Sequence, residues 1–286
     1  MTNAAVGVPQ LGHRWPLSFA TSAHQRALRR QAARVGLVLL WYAMLPLMAS
    51  DLAKERRWAE QLVDSLLDGE PVWLEANGHP FLTLYTEADN PSPPRAAIIL
   101  HGIGTHPDWP QVVHPLRVQL AERGWSTLSL QLPVLRNEAT ASEYASLFDQ
   151  AADRIAAGLV FLRERNIENI ALIGHSLGAA MGAYYLSTQD GPVAAFVGIG
   201  MPSNPQDRRL DTVSSLEQIS IPVLDIFGSD DLPDVLRAAN ERAASSTATG
   251  NRCYRQLRVA GADHFFAGQE DRLVQEVTIW LTETLP

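Results

Sequence analysis

The residues best suited to covalent chemistry stand together in Gly174-His175-Ser176-Leu177-Gly178. A serine hydroxyl is a weak nucleophile near neutral pH until a base takes its proton and an acid orients that base. A G-x-S-x-G string by itself arises by chance in roughly one chain of this length in ten. Here it follows the apolar run Asn169-Ile-Ala-Leu-Ile173 and opens the small-residue stretch Ala179-Ala-Met-Gly-Ala183. That context is a strand, a sharp turn and a helix, in which the serine sits on a strained backbone above a sheet. Glycines two residues to either side remove Cβ atoms that would clash in such a turn. The rival is an ordinary strand-to-helix turn with an N-capping serine, which requires no partners further along the chain.

Candidate partners are there. The run Gln256-Leu-Arg-Val-Ala260 reads as a final strand, and Gly261-Ala-Asp-His264 places an imidazole on the turn after it. Upstream, Pro222-Val-Leu-Asp-Ile-Phe227 reads as a strand whose carboxyl-terminal end carries Gly228-Ser-Asp-Asp231. Asp230, Asp231 and Asp234 are all in range of His264. Asp231 is favoured because it stands three residues beyond Gly228, at the outward turn of the loop. Asp225 falls inside the strand, and Asp263 is too close in sequence to His264 to orient it. An oxyanion needs two backbone N–H groups. Leu177 supplies one, and Ile103 supplies the other from the glycine-bearing turn His101-Gly102-Ile103-Gly104 that follows Ala96-Ala-Ile-Ile-Leu100. His175 is expected to point elsewhere on its turn and makes a poor base. It joins His101, Gly102 and Trp109 as pocket candidates.

The elements that must position these groups show in the hydrophobic pattern. Apolar runs at 96–100, 126–132, 170–173, 193–199, 223–227 and 253–259 alternate with helical patterns at 113–122, 141–164, 177–187, 233–245 and 268–284. Continuous apolar strands between amphipathic helices predict an α/β domain, with a mostly parallel central sheet covered by helices on both faces. Ahead of them, residues 51–68 predict an amphipathic helix. Residues 71–88 predict a β-hairpin turning at Asn77-Gly78, since that dipeptide tolerates positive φ. The core spans 95–286, and 51–286 reads as one domain. Only about twenty residues separate Pro202 from Ile221, too few for a large cap domain, and Pro202–Leu210 reads as a polar surface loop.

Composition narrows the function classes. With 46% hydrophobic and 19% charged residues, the 286-residue chain buries a core and is not disordered by composition. A net charge of −8 argues against nucleic-acid binding. A single cysteine, Cys253, excludes a disulfide framework and a cysteine-rich zinc site. The spacing of His101, His106, Asp108 and His114 matches no zincin pattern, and Pro107 and Pro110 impede one helix from presenting them all. No metal or cofactor is expected. Residues 1–50 contain five arginines and no Asp or Glu, and end in the apolar run 35–49. A basic start before a short apolar run favours a cleaved secretory signal, hence export, to the periplasm. The other readings are an uncleaved anchor holding the protein at the inner membrane, and a buried or interfacial helix.

Residues 95–285 resemble the α/β-hydrolase superfamily through the elbow at Ser176, the H-G-x-G turn at His101, the acid loop at Asp231 and the terminal His264. More narrowly, His101-Gly-Ile-Gly-Thr-His-Pro-Asp-Trp-Pro110 and Trp125-Ser-Thr-Leu-Ser-Leu-Gln-Leu-Pro133 resemble a bacterial family of exported α/β-hydrolase-like proteins known only as a domain of unknown function. Similar segments there match Arg57-Trp-Ala-Glu-Gln61 and Gly69-Glu-Pro-Val-Trp73, whereas the long basic start is a departure. The resemblance implies the α/β-hydrolase fold and the triad, and it brings no substrate with it; the residues themselves read as a serine hydrolase acting on a small-molecule ester or thioester. A non-catalytic binding protein of the same fold and an acyltransferase with the same triad are the alternatives.

Overall fold

The computed structural model describes residues 50–89, 93–248, 251 and 253–285. The apolar run 35–49 lies outside the described residues. No helix among them is long and apolar enough to cross a membrane.

Helix α1 (Leu52–Ser65) starts at Asp51, whose carboxylate accepts the Lys54 N–H. Strands β1 (Glu70–Ala76) and β2 (His79–Thr86) form the expected hairpin, and Asn77 and Gly78 turn it at φ 50° and 77°. Then come β3 (Arg95–Leu100), α2 (Val113–Glu122) and β4 (Ser126–Leu130). The predicted helix 141–164 is divided into α3 (Ala141–Tyr144), a 3₁₀ turn (Ala145–Leu147) and α4 (Phe148–Glu164). The tighter turn accompanies an inward-facing Tyr144, whose hydroxyl accepts the Leu135 N–H. Next are β5 (Asn169–His175), α5 (Leu177–Thr188), β6 (Ala195–Ile199) and α6 (Thr212–Leu216). The last are β7 (Val223–Asp230), α7 (Pro233–Ala248), β8 (Tyr254–Asp263) and α8 (Glu270–Thr284). Helix α6, of five residues, is too short for a periodic signal in the sequence.

The eight strands make one sheet in the order β1-β2-β4-β3-β5-β6-β7-β8. The hairpin is antiparallel to itself and to β4, and every pairing from β4 to β8 is parallel. Alternate residues feed two cores. Ile98, Leu128 and Leu172 face the layer of α4 and α5, while Ala97, Ile99 and Ile173 face α2 and α8. Helix α1 covers Leu82 and Leu84 of the hairpin. The chain order reverses at β3, which has β4 on one side and β5 on the other. A crevice opens at such a reversal, outside the carboxyl ends of the strands. The turns after β3 and β5 both end there.

Two buried ion pairs tie helices to this frame. Arg154 of α4 bonds Glu55 of α1 at 2.8 Å and the Gln131 carbonyl at 2.8 Å, while Glu55 also accepts the Val134 N–H. Arg242 of α7 grips Asp225 of β7 through two nitrogens, at 2.9 and 3.2 Å, and donates to the Met201 carbonyl beyond β6.

Candidate active site

Ser176 follows β5 and precedes α5 with φ 54° and ψ −122°, a positive φ that strains a residue bearing a Cβ. The elbow is this tight because its glycines are in backbone contact. A Cβ on Gly178 would collide with the carbonyl oxygens of Leu100 and His101, and one on Gly174 with the backbone of Ala179. The Ser176 N–H donates to the Ile199 carbonyl at 2.8 Å, which locks the turn to β6.

The Ser176 hydroxyl lies 2.9 Å from His264 Nε2, and His264 Nδ1 lies 2.6 Å from Asp231 Oδ1. A carboxylate only accepts, so Nδ1 carries the proton and Nε2 is free to accept from the serine. Asp231 is held in turn by the Leu232 N–H at 2.7 Å and the Gly228 N–H at 3.3 Å. All three residues are buried, Ser176 to 8% exposure. The rival carboxylates are occupied elsewhere. Asp230 is exposed and accepts from Ser229 Oγ. Asp225 holds Arg242, Tyr254 and Gln256. Asp263 accepts the N–H groups of Phe265 and Ala267, which shapes the turn presenting His264. A register shift between Gly228 and Asp230 marks the end of β7, where the strand is re-aimed just before Asp231.

At the turn after β3, Gly102 packs against Ser176: a Cβ there would sit 3.3 Å from Ser176 Cβ. The Gly102 carbonyl is held by His101 Nδ1 and by Thr105 Oγ1, each at 2.9 Å. In a trans peptide the following N–H points opposite to the carbonyl. Pinning the Gly102 carbonyl therefore fixes the direction of the Ile103 N–H. Leu177 begins α5, where first-turn N–H groups have no intrahelical partner and the helix dipole favours negative charge.

His101 and His175, expected on a pocket wall, are 1% and 2% exposed and lie inside the protein. Burial pushes the His101 imidazole down to about 3, so the ring is neutral, and its Nε2 accepts the Leu132 N–H at 2.9 Å. This bond accounts for β4 stopping at Leu130 rather than running on to Leu132. His175 is pushed down to about 4, first by burial and then by the neighbouring His264. Its Nε2 donates to the His264 carbonyl at 2.9 Å, so it turns toward the site rather than away from it. Trp109 is half-buried and packs edge-on against His106, which meets Trp58 on its other side. Asp108 binds His114 and Arg117, both at 2.9 Å. Among the described residues no group of three or more His, Cys, Asp or Glu could hold a metal ion.

Thr105 lies within the His101–Pro110 segment without being singled out there, and no local pattern pairs Asp225 with Arg242. Two exposed apolar side chains also went unmarked: Leu232 and Phe265 directly follow Asp231 and His264, as the exposed Ile103 follows Gly102. Nearby, a cleft of about 620 Å³ runs between the loop after β6 and α7, lined by Pro202, Asn204, Leu210, Asp234, Arg237 and Glu241 among others.

Residues 23–152 and 136–283 match the family model described as "Protein of unknown function (DUF3530)". No curated protein matches the chain in sequence. Solved structures share its fold. Est1E from Butyrivibrio proteoclasticus superposes with TM-score 0.59 at 13% identity, over 75% of this chain and 98% of its own. An esterase of Pyrococcus furiosus reaches TM-score 0.63 at 14% identity, over 79% of this chain and 94% of its own. Dienelactone hydrolase from Anabaena variabilis reaches 0.59 at 18% identity, over 76% and 97%. The fold is the α/β-hydrolase fold, as the sequence predicts, with a single five-residue helix where a cap domain would insert.

Proposed function

The chain belongs to the DUF3530 family, and on that premise we propose that it is a serine hydrolase that cleaves carboxylic ester or thioester bonds through an acyl-enzyme on Ser176. One observation carries this: the unbroken hydrogen-bonded line Ser176–His264–Asp231, at 2.9 and 2.6 Å, above the carboxyl edge of the sheet.

His264 Nε2 takes the Ser176 proton as Oγ attacks the acyl carbon, and Asp231 stabilises the imidazolium that forms. The tetrahedral oxyanion is met by the Ile103 and Leu177 amides. His264 then passes its proton to the leaving alcohol or thiol, and the acyl group stays on Ser176. Water enters, His264 removes its proton, and a second tetrahedral intermediate collapses to the carboxylic acid and free serine. The esterases and dienelactone hydrolase that share the fold support hydrolysis in general. The ester or thioester specificity rests on the triad geometry.

A fluorophosphonate probe tests this directly. Wild-type protein should be labelled at Ser176 and should turn over members of an ester and thioester panel, and Ser176→Ala should do neither. A wild-type protein that resists the probe and leaves the panel intact would instead be a binding protein with a hydrolase fold.

A further inference from the structure

We infer that His175 is a positioning residue that holds the His264 backbone and ring in register with Ser176, an inference resting on the triad reading above. His175 is the last residue of β5, so its backbone is fixed by the parallel ladder with β6 and its side chain departs beside the nucleophile. From there it touches both other parts of the site. Its Nε2–H donates to the carbonyl of His264 at 2.9 Å, and its ring lies 4.9 Å from the His264 ring at 40°. Its Nδ1 faces Gly102, where a Cβ would come within 3.2 Å of it. The elbow, the oxyanion turn and the base loop therefore meet on one imidazole.

The base loop needs such an anchor. Beyond His264 the chain passes through Phe266, a buried non-glycine residue at φ 52°, a conformation that persists only where surrounding contacts over-determine it. Asp263 supplies contacts on one side of the loop, through the Phe265 and Ala267 amides. His175 supplies the other, and it bonds the backbone of the catalytic base itself. Its neutrality suits the chemistry. His264 becomes a cation during each acyl transfer, and a second cation 4.9 Å away would oppose that charge. A neutral imidazole donates its hydrogen bond without that repulsion. With the Ser176–His264 side-chain bond, the His175–His264 bond gives nucleophile and base two independent ties, so loss of the second lets the base wander. Displacements of about 1 Å cost on the order of 100-fold in rate.

Three substitutions in the full chain test the role. A glutamine amide nitrogen stands near the place of Nε2, so His175→Gln should keep the donor and most of kcat. His175→Leu should lower kcat by about 10- to 100-fold, and the fluorophosphonate labelling rate in parallel, with KM changed less than about twofold. His175→Asn is one methylene too short to reach the carbonyl and should behave like His175→Leu, which decides the matter if the leucine variant does not fold. Wild-type kcat in both His175→Leu and His175→Asn would overturn the inference. So would an equal loss in His175→Gln and His175→Asn, because ring packing rather than the donor would then matter. Wild-type protein that neither hydrolyses esters nor takes the probe would overturn the triad reading, and this inference with it; active wild type with unaffected variants would overturn the role of His175 alone.

Discussion

At the scale of single residues, two adjacent carboxylates of similar intrinsic acidity have unlike surroundings. Asp231 is buried against His264 and fed by two backbone amides, whereas Asp230 is exposed and meets only Ser229. Asp231→Asn should therefore lower kcat by about 10⁴-fold while the protein stays folded, because an amide favours the wrong imidazole tautomer. Asp230→Asn should stay near wild type, and steady-state kinetics of the two variants read the contrast. The buried imidazoles make a separate prediction about stability. Both titrate near 6.5 when unfolded, while the fold pushes His175 down to about 4 and His101 to about 3. Between those values the unfolded chain binds more protons than the folded one, so stability falls as pH drops below 6.5, through about 4 and on to about 3. Each imidazole contributes a slope of up to about 1.4 kcal/mol per pH unit in that window. Urea unfolding at a series of pH values should show the loss, and His175→Gln should flatten it by one group.

At the scale of elements, the site depends on how closely α5 and α7 approach the sheet. Gly178 lets the first turn of α5 rest on the carbonyls of Leu100 and His101. Backbone cannot move aside as a flexible side chain does, so Gly178→Ala should push α5 from β3 and cost at least ~2 kcal/mol in unfolding free energy. It should also cut kcat, since Leu177 and Gly102 flank that contact. Helix α7 is held by the fully buried Arg242–Asp225 pair, and Asp225 also raises the Tyr254 hydroxyl far above its ordinary range, after burial, which has the larger effect. Arg242→Met leaves that carboxylate short of its charged partner and should destabilise by about 3–5 kcal/mol. Adding Asp225→Leu should recover part of that loss in a denaturation series.

At the scale of the whole molecule, the segment between β6 and β7 carries a single helix of five residues in place of a cap domain. A site without a cap buries less acyl chain and forgoes much of the ~0.8 kcal/mol per methylene that favours long chains. Short and medium acyl esters should be preferred, with little activation on emulsions. A sharp optimum at long chains in a kinetic series would contradict this. We also propose that the protein is exported and cut near Ser50. Asp51 caps α1 and donates its N–H to the Val134 carbonyl at 2.7 Å, so removal of residues 1–49 leaves these interactions in place. N-terminal sequencing of mature protein should find a start at Ser50 or Asp51.

The sequence alone determined what is local. Six apolar runs became parallel strands, Asn77-Gly78 became a turn, and the elbow was legible because strand, glycine turn and small-residue helix are contiguous. The order of serine, acid loop and histidine followed from the order of the strands that carry them. Tertiary structure alone decided what lies between distant segments. A place three residues beyond Gly228 favours Asp231 over Asp230, but only the shift in register at the end of β7 and the approach of the β8 turn bring it against His264. His175 read as a poor base and a pocket residue because adjacent residues usually point apart, yet it reaches a carbonyl 89 residues away. His101 read as a pocket residue, yet it binds a backbone amide 31 residues away and holds the Gly102 carbonyl. Imidazoles carry no periodicity to reveal such partners, and only the packing of β3, β4, β5 and β8 into one sheet brings donor and acceptor within 3 Å.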